Sequence, residues 1–131
     1  MKYMLLMHYT DLGVPEISHW APEDIKRHIG FMHTFNRELT ESGELVDAQG
    51  LAGPDRARVV RATPEGPPAV TDGPFPETKE LLAGFWVVDC ADEARAVEIA
   101  ARASTAPGPD NVPLNMPIEV RQIMAGPPED L

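Results

Sequence analysis

Three observations predict an α+β fold built on a split β-α-β plan. Short apolar runs open the chain at "KYMLLMHY", recur as "LLAGFWVVDC" and close it at "IEVRQIM". Two stretches between them, residues 22–42 and 91–105, have the spacing and composition of helices. The order is then strand, helix, strand, inserted hairpin, strand, helix, strand, which puts both helices on one face of a sheet and leaves the other bare. With 131 residues the chain has room for one core that buries about two thirds of the surface the unfolded form exposes. A single domain is expected over residues 1–124, with 125–131 as a C-terminal tail.

Taken in order, "KYMLLMHY" is bounded by "TDLGVP" and reads as a buried strand that runs into a loop. Pro22 suits the first turn of the following helix, Glu23 and Asp24 complement its positive end, and Gly43 can cap it in the left-handed conformation. Ile25, His28, Met32, Phe35 and Leu39 recur at steps of three and four and form its core-facing stripe, with Ile29 beside it. "ELVDAQGLA" is short and rich in Val and Leu, hence a strand, and "RARVVRA" should pair with "PAVTD" across the turn "TPEGP" as a hairpin. "LLAGFWVVDC" is continuously apolar, so it should be the central strand, buried on both faces. In the second helix the expected packing face is Ala94, Val97 and Ala101, a narrow face of small side chains. Prolines at 107, 109, 113 and 117 then prevent regular structure, making 106–117 a loop of functional or mobile character before the last strand. This order matches the ferredoxin-like arrangement.

Composition narrows the function classes. Eleven Lys and Arg stand against 21 Asp and Glu, a net charge of −10, so the averaged field repels phosphate backbones and anionic membranes. Neither nucleic acid nor membrane is an expected partner. No apolar run approaches the roughly 20 residues of a membrane span, and the opening apolar run meets His8 too soon for a signal-peptide core. With the single Cys90 excluding an internal disulfide, the expectation is a soluble, cytoplasmic protein. No cofactor is implied.

Four histidines raise the question of a metal. His28 shares the apolar stripe and reads as a core-facing histidine with one hydrogen bond, His33 lies off that stripe, and His19 sits in a loop; no metal site is expected. His8, ending the first strand, suits a pocket wall or a structural role. Trp86 falls in the central strand, where an indole is usually core with its N–H satisfied and stacking on a ligand is the other reading. Trp20, just before the first helix, reads as a hydrophobic staple, and the methionines as adaptable packing.

The stretch "VTDGPFPETKELLAGFWVVD" carries most of the functional signal. Together with "MKYMLLMHY", "FNRELTESGELV" and "GLAGP" it resembles the YCII-related family, in particular its DGPF-motif branch, over residues 1–124. The resemblance implies a ferredoxin-like domain whose sheets face each other across a homodimer, a dimeric α/β barrel that would cover the bare face. In the shorter YCII branch it also implies a pocket with a helix histidine and an aspartate, acting in some members in dehydrochlorination. The matching position here holds Met32, with His28 and His33 nearby, so that dyad is not clearly carried over.

Asp72 and Gly73 begin a tight turn, and Pro74 and Pro76 fix the backbone around Phe75, which would hold Asp72 and Lys79 in defined positions. In a cleft, Lys79 could bind an anionic substrate or stabilise an enolate while Asp72 accepts a proton, with His8, Phe75 and Trp86 as substrate-binding walls. That is lyase- or isomerase-like chemistry on an unidentified small molecule. The structural alternative has Asp72 capping its own turn and Lys79 in a salt bridge. A non-catalytic ligand-binding or regulatory interaction domain is the competing function.

Overall fold

Side-chain alternation along the strands sorts the sheet into a covered and an open face. The computed structural model describes residues 1–9, 12–72 and 81–126. β1 (Lys2–Tyr9), β2 (Leu45–Gly50), β5 (Leu81–Asp89) and β6 (Ile118–Gln122) form one antiparallel sheet in the order β2-β5-β1-β6. β3 (Arg58–Arg61) and β4 (Ala69–Asp72) make a separate two-stranded hairpin, as expected of "RARVVRA" and "PAVTD". Two helices, α1 (Pro22–Glu41) and α2 (Glu93–Ser104), complete the α+β fold.

β5 lies centrally, between β2 and β1. Its Trp86 and Val88, paired with Leu5 and Tyr3 of β1, form the covered face and join Phe35 and Leu39 of α1 and Ile99 of α2 in the core. The opposite face carries Met4, Leu6, Phe85 and Val87, which are only half-buried. The continuous apolar run was expected to be buried on both sides; within one chain only one side is covered.

α1 begins at Pro22 with Glu23 and Asp24 in its first turn and no side-chain cap. It ends in a Schellman motif: Gly43, at φ +79°, donates its N–H to Thr40 O, and Glu44 donates to Leu39 O. Phe35 and Leu39 are buried, Ile25, His28 and Met32 partly so, and Ile29 is exposed.

The expected face of α2 is corrected by the structure. Ala94, Val97 and Ala101 are exposed, while Ala96, Ile99, Ala100 and Ala103 pack on the sheet. Both sets have helical spacing, but the second includes Ile99, and burying an Ile removes more apolar area from water than burying a Val. Asp92 caps the helix by accepting from Arg95 N at 2.9 Å.

The Arg95 side chain fixes the rotation further. Its Nε and Nη2 each donate to Glu44, just before β2, at 2.9 Å. That fork holds the Glu44 carboxyl below the usual glutamate range, against the opposing effect of desolvation. A depressed folded-state pKa gives stability that is present above the unfolded value and lost as pH falls through the folded one. Glu44→Gln should therefore cost at most about 1 kcal/mol at neutral pH, since Arg95 is substantially exposed, and should reduce the acid dependence of urea unfolding. An unchanged acid limb in Glu44→Gln would refute the role of this pair.

The segment 106–117 is irregular, as its prolines require, yet it is tied down. Pro107 and Pro113 form a β-bridge, Ser104 Oγ donates to Met116 O at 2.6 Å, and Asp110 N donates to Asp24 Oδ1 at 3.1 Å. His28 Nδ1 lies 2.9 Å from Pro107 O, the single hydrogen bond expected of a core-facing histidine. Ala106, Pro107, Gly108 and Met116 are buried. The segment is thereby anchored to both helices.

Candidate functional site

At the end of β1 the ladder to β5 slips: Met7 pairs with Gly84, and His8 with Leu82. His8 alternates away from Met7 and lies on the open face, where Glu119, paired with Leu6, also points. His8 Nε2 is 3.2 Å from Glu119 Oε1. An ionised carboxylate only accepts, so Nε2–H donates and the neutral ring keeps its lone pair on Nδ1. That Nδ1 is covered and, among the described residues, has no hydrogen-bond partner. The pair couples a titratable ring to a carboxylate that orients it.

Leu82, across the ladder from His8, also lines a pocket of about 290 Å³. The remaining wall comes from Leu81 at the start of β5 and from the loop between β2 and β3, where Leu51, Pro54, Ala57 and Arg56 line it. A one-turn 3₁₀ segment, Pro54–Arg56, presents this arginine. Arg56 makes no ion pair among the described residues. An apolar pocket with one guanidinium suits a small molecule that has an apolar body and an anionic end.

The residues singled out in the sequence are not gathered at one place. Asp72 ends β4, its side chain is 90% exposed, and it faces Arg58 Nε across the hairpin at 3.4 Å. This contact ties the two strands of the hairpin together; the turn that follows Asp72 lies outside the described residues. Phe75 and Lys79 lie outside the described residues, so the expected Asp72 and Lys79 pairing is not described. Trp86 is on the covered face, stacked edge-on to Phe35 at 5.5 Å with its Nε1–H donated to Asn36 Oδ1 at 2.9 Å. His8 and Trp86 thus occupy opposite sides of the sheet and cannot wall the same cleft. Sequence reasoning missed Glu119 and Arg56; the alternation of "IEVRQ" puts Glu119 opposite Ile118 and Val120, but only strand pairing brings it to His8. Among the described residues no cluster of His, Cys, Asp or Glu could hold a metal ion. Nor is any described helix long and apolar enough to cross a membrane.

Comparison with known sequences now bears on the site. Residues 1–108 match the YCII-related domain. The chain belongs to the YCII-related family. An uncharacterised protein of Rhizobium meliloti (strain 1021) is 35% identical over 106 residues, covering 81% of this chain and 82% of that relative. In this YCII-related chain the domain match includes His8, the pocket loop and Asp72, whereas Glu119 lies beyond its last matched residue.

Proposed function

We propose that this chain is a small-molecule-binding protein with lyase- or isomerase-like chemistry, acting on a compound that joins a carboxylate to an enolisable carbon. The observation that carries the reading is the His8–Glu119 pair set across the ladder from Leu82, in the wall of an apolar pocket that Arg56 also lines. Arg56 would hold the carboxylate or the oxygen of the developing enolate. His8, oriented by Glu119, would take the proton from the carbon next to the carbonyl. The electron pair left behind forms the enolate. Return of the proton to a neighbouring carbon completes an isomerisation; departure of a β-substituent with its bonding electrons completes an elimination.

Several features support the wider setting. The order β2-β5-β1-β6 with both helices on one side favours the ferredoxin-like reading, and the half-buried apolar open face favours a barrel-type homodimer. The DGPF-type block runs directly into Leu81 on the pocket wall. The free, buried Cys90, its thiol pushed up by burial, suits a reducing cytoplasm.

Exchange of α-protons for deuterium, followed by NMR over a panel of small enolisable carboxylates, tests the catalytic reading. His8→Gln should slow exchange about 100-fold, and Arg56→Ala should raise KM about tenfold. A second reading draws on the covered Nδ1 atom: the pair is structural and the pocket binds its ligand without turnover. Binding without exchange, undiminished in His8→Gln, would replace the first reading with the second.

A further inference from the structure

The open sheet face carries its polar residues in a pattern that the strand registers fix. Ala48, Ile118 and Val120 pack on the core, so their alternating neighbours Asp47, Gln49, Glu119 and Arg121 point to the open side. Residues directly opposite share a face, and the pairings set out rows across the sheet from β2 to β6. One row reads Asp47, Val87, Met4, Arg121, and the next Gln49, Phe85, Leu6, Glu119. A further row, at the start of β1, holds Asp89 on β5 beside Lys2. In two rows, then, the acid lies on the β2–β5 half of the sheet and the base on the β1–β6 half. Neither Lys2 nor Arg121 makes an ion pair among the described residues.

That order bears on how two such faces meet. Two facing sheets related by a two-fold axis along the strands lay β2 on the partner's β6 and β5 on the partner's β1, and the symmetry keeps every row at its own height. Asp47 then meets the partner's Arg121, Asp89 the partner's Lys2, and Gln49 the partner's Glu119, each contact made twice. An axis across the strands, centred between the two four-residue rows, seats Arg121 on the partner's Glu119 but sets Lys2 against the partner's His8 and Asp89 against the partner's Leu82. Lys2 and Asp89 then find no opposite charge across the interface. We infer that the proposed homodimer forms about an axis parallel to the strands, so that the partner's Gln49 donates to Glu119 and completes the carboxylate that orients His8. Gln49 Nε2 carries two hydrogens, one of them donated to Asp47 Oδ1 at 3.0 Å. Glu119 Oε1 is taken by His8, so the incoming amide goes to Oε2.

The inference rests on the homodimer reading and adds to it the axis and a cross-chain contact at the site. Dimer dissociation constants from analytical ultracentrifugation, over two exchange cycles, test it. Asp47→Lys and Arg121→Glu alone each set like charges together at two places and should weaken association about tenfold, whereas the double variant restores opposite charges and should return to within about threefold of the parent. Gln49→Glu should likewise weaken association, and adding Glu119→Gln should restore it. Within one chain, residues 47 and 49 lie on one edge strand and 119 and 121 on the other, so such rescue arises only between copies. Asp47 also accepts from Ala48 N, so circular dichroism checks the fold of each variant, and if Asp47→Lys misfolds the second cycle decides. A monomeric parent chain overturns the inference together with the homodimer reading. A dimer in which the double variants recover nothing, or in which Arg121→Glu is rescued by Glu119→Arg, overturns the axis and leaves the sheet-face homodimer standing.

Discussion

Phe35→Ala is expected to lower the unfolding free energy by about 3 to 5 kcal/mol, the range for emptying an aromatic site in a packed core. Phe35 is 2% exposed and sits between Phe31, stacked at 6.1 Å, and Trp86, edge-on at 5.5 Å. It is therefore the piece that fills the space between α1 and the central strand. The neighbouring Asn36 to Trp86 hydrogen bond pins the indole in place, so the surrounding side chains have little freedom to collapse into the void. Urea unfolding followed by tryptophan fluorescence measures the loss. A change below about 1.5 kcal/mol would mean that the core relaxes around the cavity, contrary to this packing.

Phe85→Glu is expected to leave the chain folded and to abolish the proposed homodimer. Phe85 points away from both helices and is only half-buried, so a charge there disturbs no core contact. In an isologous interface each substitution occurs twice. At about 2 kcal/mol for each lost aromatic anchor, association weakens by roughly 1000-fold. Light scattering should report twice the chain mass for the parent and the single mass for the variant. A parent that is monomeric at micromolar concentration, or a variant that remains a dimer, would show that the open face is not the meeting surface.

Much of the fold was legible because local signals and packing agree. Pro22 and Gly43 bracket α1, and the aromatic run of β5 takes the central place its composition requires. The face of α2 was misread because two stripes of nearly equal hydrophobicity share the helix; Ile99 and the anchoring of Arg95 to Glu44 decide between them, and the second of these is a long-range fact. The site was less legible for the same reason. His8 was singled out as a pocket-wall candidate, but its partner is 111 positions away and comes near only through the β1–β6 register. Arg56 carries no signal in the sequence; it enters the site only because the loop around it forms a pocket wall. Trp86 was weighed as a ligand platform and as core; facing α1 beside Phe35, it is core.

The proline-rich loop has a consequence for motion. Backbone amides in segments without regular structure usually exchange with solvent readily, because local openings expose them at little cost. Here Gly108 N–H is held by Val112 O and Leu114 N–H by Ala106 O, while Ser104, His28 and Asp24 bind the same segment from both helices. Three non-glycine residues, Asp110, Asn111 and Asn115, sit in the left-handed region, where Asn and Asp are tolerated better than most side chains, and the flanking prolines leave few alternative paths for the backbone. Opening this segment breaks hydrogen bonds to both helices, so its bonded amides, those of Gly108 and Leu114, are expected to exchange more slowly than those of an untied loop.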